Sequence, residues 1–401
     1  MKPKVRRILA WGAAGVLAAN AAVAGILHWV WSGRVEEAQR ELEALGFHEP
    51  SLSRPGSNAA ECYREALSKI EPLRRIYAAG GSERGLHVTV MDPGAAISDE
   101  LRQGVEALLS EYADAVRLAL RAVDRDGCDW GGAETAAEFV ADVDLFRRLV
   151  EANAVYHADR GRTGEAALSV RALYHLAWAL TVRPDGVRAL LAELVLRSAT
   201  RALSYALMLE KSHHRPDFEA LGRYLDDAFV SRALEEGLRQ DYRILLSPLR
   251  EESGIFAGPK RTFAVAAKAY AETARALAES YTEAARRAAR VEAIRLELGA
   301  ESAWAKAIPM AASFVDARAS STALVRLARA ALLISAHGSL PRSPDAVGIP
   351  LGEDPYTGGR LRYRLLPRGA VVYSVGWNLA DDGGSGPLWD RRPPDLAFPL
   401  K

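Results

Sequence analysis

The chain has 401 residues, in which 52 Lys and Arg nearly balance 51 Asp and Glu, leaving a net charge of +1. That length supports more than one domain and a large core, and the balanced charge lacks the electrostatic footprint of nucleic-acid binding, so no nucleic-acid partner is expected. Two cysteines, Cys62 and Cys128, are too few for a disulfide scaffold or a four-cysteine zinc site, while one bridge between them is open to a chain in an oxidising compartment.

The first element is apolar. From Ile8 to Trp31 only Asn20 and His28 are clearly polar, and at ~1.5 Å per residue this run can cross a ~30 Å hydrocarbon core. Trp11, Trp29 and Trp31 stand near its ends, where indoles favour the lipid boundary. Lys2, Lys4, Arg6 and Arg7 precede it, so the positive-inside bias keeps the short N-terminus cytoplasmic and puts everything after Ser32 outside. The expected partner of residues 8–31 is therefore the membrane. Ala22-Val23-Ala24 before Gly25 keeps a second route open, export after signal-peptide cleavage.

Residues 1–33 thus read as leader and anchor, 34–57 as a juxtamembrane helix and linker with a hinge around Pro50 and Pro55, and 58–315 as a helical body. In the body a helix near Asn58 to Tyr77 is interrupted by Pro72, and the β-prone LHVTVM between Gly80 and Gly94 predicts an isolated strand. Ser98 caps a helix whose stripe runs through Leu101, Val105, Leu108, Tyr112, Val116 and Leu120. Glu134 to His157 and a helix through Ala166 to Leu180, turned at Gly161, predict an antiparallel hairpin that looks like a single tetratricopeptide-type unit. No sustained ~34-residue period follows, so the body is a loose α-hairpin array. Pro184 and Pro216 open further helices, Ala-rich Lys260 to Leu298 predicts one long helix, and Asp316 to Ala336 a last one ending at Gly338.

Residues 316–401 form the expected C-terminal module. Asp354-Pro355 favours a turn, LRYRLL and AVVYSVG alternate as strands around Pro367-Arg368-Gly369, and a β-hairpin packed on the preceding helix results. The order Leu340-Pro341, Asp354-Pro355, Gly358, Tyr363, Tyr373-Ser374-Val375-Gly376 and Asp381-Asp382-Gly383-Gly384 resembles the C-terminal module of the type II secretion major pseudopilin, an ending also associated with large membrane-anchored bacterial proteins. The resemblance covers about Ala317 to Phe398. It implies a bacterial inner-membrane protein with its bulk in the periplasm, and calcium held by Asp381, Asp382 and Asp395. Calcium takes about six to eight oxygens, so backbone carbonyls would have to complete the set, and a solvated turn is the competing explanation. The chain departs from the family where MKPKVRR stands in place of the prepilin-peptidase site, and Gly46-Phe47 lies on the wrong side of the span.

Other groupings read as structure. Asp124 to Asp129 departs from EF-hand spacing, adjacent His213 and His214 diverge as ligands, and His157 and His175 lie on amphipathic helices as packing residues. No nucleophile elbow, phosphate loop or Rossmann glycine pattern stands at a strand–helix junction. The expectation is a mainly α chain: a transmembrane helix, a loosely tetratricopeptide-like α-hairpin body and a small α+β tail. Its function is that of a non-enzymatic envelope scaffold binding protein partners. The alternatives are an accessory component of a type II secretion or pilus-like system, or an all-α envelope enzyme with a dispersed acidic site.

Overall fold

The structure is a computed structural model. It describes residues 30–47, 58–79, 84–91, 95–130, 137–182, 184–209, 216–246, 257–298, 308–386 and 393–401, with Leu27, Pro93, Ala305 and Leu388. The expected membrane span lies outside these residues apart from Leu27, Val30 and Trp31, as do the leader, the hinge at 48–57 and His213-His214.

Helix α1 (residues 30–44) ends at Gly46, whose φ of +82° favours a residue without Cβ. It is not a detached linker. Ala38, Leu42 and Phe47 are buried in the main core, and Phe47 meets Tyr242 edge-on at 5.4 Å. Lys260 Nζ donates to Ser32 Oγ at 2.9 Å, and Arg275 is ion-paired with Glu41.

Helices α2 (Ala59–Lys69) and α3 (Glu71–Ala78) break at Ile70, with Pro72 in the first turn of α3 where its missing N–H costs nothing. Asn58 caps α2 by accepting from Ala60 N, and also exchanges hydrogen bonds with the backbone of Asp129 at 2.8 and 3.2 Å. The strand expected between Gly80 and Gly94 is instead a 3₁₀ helix over Arg84–Val90. Among the described residues no strand pairs with it; Gly85 comes so close to α4 that an added Cβ would lie 2.7 Å from the Gly104 carbonyl oxygen.

Ser98 Oγ accepts from Leu101 N as expected, but the helix it opens breaks at Tyr112 into α4 (Asp99–Glu111) and α5 (Ala113–Ala122). Helices α6 (Ala137–Asp159) and α7 (Thr163–Leu180) form the expected hairpin around Gly161, at φ +69°. With α8 (Gly186–Leu209) they pack in all three pairings. Leu173 to Ala177 are consecutively buried, so α7 is enclosed on every side.

A 3₁₀ turn (Pro216–Tyr224) leads to α9 (Ala228–Asp241) and a π turn (Tyr242–Leu246). The long Ala-rich helix divides into α10 (Ala257–Ala276) and α11 (Tyr281–Glu297), which pack on each other. Ser280 is extended, and Arg287 ties the two helices by pairing with Glu272 at 2.7 Å and with Glu279. Propensity alone predicted continuity; these cross-links and the burial of Ala284, Ala288 and Val291 favour the turn.

Helix α12 (Ala311–Ala336) has the length and mean hydropathy, 1.3, to cross a membrane, yet 61% of that window is buried within the protein. It is a core helix, packed on α8, α9, α11 and the sheet. The sheet is antiparallel, in the order β1 (Arg362–Leu366), β2 (Gly369–Ser374), β3 (Leu396–Leu400). Strand β3 extends the expected hairpin, and its Pro399 is tolerated because the strand is an edge. One core cluster runs from Ala38 to Leu400, crossing the boundary expected near residue 316.

Candidate functional site

Asp354 organises the junction of body and tail. It is fully buried, and its carboxylate accepts from Tyr356 N at 3.0 Å, Ser374 Oγ at 2.8 Å and Val375 N at 3.0 Å. The Asp-Pro turn and the end of β2, which the sequence presents only as an order along the chain, are thereby one unit.

The acidic loop closes on the start of β3. Gly384 N donates to Asp395 Oδ2 at 2.6 Å, so Asp395 does come to the Asp381–Gly384 segment. The three carboxylates are nevertheless engaged separately. Asp381 accepts from Gly383 N at 3.0 Å and pairs with Arg362, which together hold its carboxyl below the usual range. Asp382 accepts from Asn378 Nδ2 at 2.8 Å. Burial raises the pKa of Asp395, whose Oδ1 is buried without a hydrogen-bond partner. Among the described residues no three His, Cys, Asp or Glu side chains are placed to hold a metal ion. In this structure Asp381 is thus held by Arg362, Asp382 by Asn378 and Asp395 by Gly384 N.

A groove of about 360 Å³ lies where body and tail meet, between the start of α9, the α10–α11 turn, α12 and the Asp354 turn. Arg326 Nε donates to Asp227 Oδ2 at 2.8 Å on one side. Arg318 Nη1 donates to the Glu279 carbonyl at 2.9 Å, and burial lowers its pKa, partly offset by the charge of Glu235. Ser231, Ser280 and Thr322 add hydroxyls, and Tyr281 and Val315 an apolar wall. Such a surface suits an extended segment carrying a carboxylate: the guanidinium takes the charge and the hydroxyls take backbone groups. No local motif announces it, since its residues come from four separate segments.

Cys62 and Cys128 are both thiols and form no disulfide in the structure. The neighbouring Ala59 N–Gly127 O hydrogen bond, at 2.7 Å, does bring their segments together. Beside them Tyr63 OH and His175 Nδ1 are 2.6 Å apart, and His175 Nε2 lies 3.1 Å from the Arg125 carbonyl. A carbonyl can only accept, so Nε2 carries the proton and Tyr63 donates to Nδ1. Burial lowers the His175 pKa to about 4, in keeping with a neutral packing histidine. The Asp124–Asp129 segment serves this junction through Gly127 and Asp129.

Comparison with family models, curated proteins and solved structures found no match.

Proposed function

We propose that this chain is a single-pass, membrane-anchored scaffold of the bacterial envelope, non-enzymatic, whose body stands in the periplasm and holds a protein partner. The observation that carries this reading is α1. It begins, in sequence, at the end of the apolar residues 8–31 and buries Ala38 and Leu42 in the core. A span joined to the body in this way fixes the body's orientation at the membrane surface, which suits presentation of a binding face. Arg34 and Arg261 lie over the Trp31 ring at 4.7 and 5.8 Å, the pairing of cation and indole expected beside lipid headgroups.

The groove around Arg318 is the face proposed for the partner. Affinity purification of the tagged full chain from detergent-solubilised membranes tests this reading. A partner captured by the wild type and lost with Arg318→Glu supports it; recovery of the chain from the soluble cytoplasm refutes it.

A second reading, an accessory component of a type II secretion or pilus-like system, is favoured by the way Asp354 joins the turn to the Tyr373-Ser374-Val375-Gly376 strand end. Its test is the identity of the captured proteins: secretion components support it, and their absence from the purified complex speaks against it.

A further inference from the structure

On the α6–α8 face a cavity of about 80 Å³, with a lining distinct from that of the Arg318 groove, is lined by Arg147, Arg148, Arg197 and Arg201, with Glu151 and Ser198. Two are set one turn apart on α8, Arg197 and Arg201, and two are adjacent on α6, Arg147 and Arg148. Arg197 and Arg201 are more than nine-tenths buried, as are Ser198 and Glu151.

The surrounding carboxylates do not balance the arginines. Arg201 pairs with Glu151 and Arg197 with Glu193 at 2.6 Å, while Arg147 and Arg148 share Asp144. Four cations thus face three anions, and a net positive charge is left in a largely desolvated place. The hydrogen-bond inventory shows the same surplus. Arg147 Nη1 donates to Ser198 Oγ at 2.6 Å, but its Nε is a buried N–H without a hydrogen-bond partner, whereas Arg201 is engaged by Glu151 and the Met91 carbonyl. Arg148 engages Asp144 through Nε at 3.1 Å, and its side chain is 31% exposed at the mouth of the cavity. Burial lowers the pKa of Arg147 against the pull of Asp144 and Glu151, so its charge lacks full compensation. A buried donor left over beside a surplus of positive charge calls for an acceptor.

We propose that this cavity binds a phosphate group. A planar carboxylate satisfies one guanidinium fork, whereas a tetrahedral oxyanion presents oxygens in several directions and can accept from arginines on both helices at once. The volume admits one such group and little more, and its charge offsets the surplus. Leu388, from the loop before β3, also lines the cavity, so occupancy would brace the tail against the body.

The test is titration calorimetry and thermal denaturation of the full chain in detergent, at constant ionic strength, with inorganic phosphate, glycerol 3-phosphate, acetate and chloride. Saturable heat and a rise in Tm are expected with the phosphates alone. Tighter binding of the ester would assign the site to a phosphate carried on a larger molecule, such as a lipid headgroup; tighter binding of the inorganic ion would assign it to the free anion. Arg148→Gln changes a partly exposed side chain and should weaken phosphate binding about tenfold, with Tm in chloride unchanged. Arg147→Lys keeps the charge, removes the Nε donor and should weaken it likewise. Phosphate acting no better than chloride, acetate binding as tightly as phosphate, or both variants binding like the wild type would overturn the assignment.

Discussion

Arg275 on α10 is ion-paired with Glu41 on α1, and together with the 2.9 Å Lys260–Ser32 hydrogen bond this fastens the helix leading from the expected span to the body. Both contacts are polar and partly exposed, so they orient α1 more than they stabilise it. The stabilising contact is Leu42, 1% exposed.

Leu42→Ala should therefore cost about 3 kcal/mol through lost burial and the cavity left behind. Its distinctive effect should be local. Amide exchange in residues 30–47 should accelerate before the rest of the chain responds, whereas uniform acceleration across α6–α8 would show that α1 is not a separable fastening.

Asp354→Ala should destabilise the chain by about 3 kcal/mol, because Tyr356 N, Ser374 Oγ and Val375 N lose their common acceptor in the interior. Denaturant unfolding would measure the loss. A cost below that of an ordinary surface substitution would contradict the assigned role.

Two buried groups should give opposing pH dependences. Burial pushes the Asp241 pKa up to about 7, against about 3.9 unfolded, even though it accepts from Gly186 N at 3.0 Å at the start of α8. The folded state holds that proton more tightly, so the stability gained falls as pH rises from about 4 to 7, by at most about 1.4 kcal/mol per unit. His175, lowered to about 4 from about 6.5, does the reverse: its stability is present above pH ~6.5 and is lost as pH falls towards 4. Between these limits the two slopes oppose each other. Asp241→Asn should expose the acid sensitivity of His175, seen as a midpoint that falls between pH 6.5 and 4 more steeply than in wild type; an unchanged profile would refute it.

Periplasmic residence would permit a Cys62–Cys128 bridge, since the Asn58–Gly127 pairing already draws the two segments together. Intact mass before and after reduction decides between bridge and thiols. A mass unchanged by reduction in protein isolated from the envelope would rule the bridge out.

Much of the helical order was legible because periodicity and caps are local: Ser98, Gly161 and Gly338 all mark the ends the sequence assigned them. The failures lie where a tertiary contact decided. LHVTVM pairs with no strand among the described residues and packs as a 3₁₀ helix at Gly85, and the break at Ser280 depends on Arg287 reaching back to Glu272. Strand β3 was missed although Leu396, Phe398 and Leu400 alternate, because Pro399 masks an edge strand in so short a segment. For the site, the pseudopilin resemblance grouped Asp395 with the acidic loop, while the Arg362–Asp381 pairing reaches from β1 to that loop and no local motif marks it. The Arg318 groove and the arginine cavity are assembled from separate helices and left no linear trace.

The most direct measurement fuses, after Lys401, a reporter active only outside the cytoplasm, and follows both its activity and its retention in membranes after an alkaline wash. A membrane-anchored periplasmic body predicts an active reporter that stays with the membrane. A silent reporter, or one washed free, would contradict the anchored scaffold.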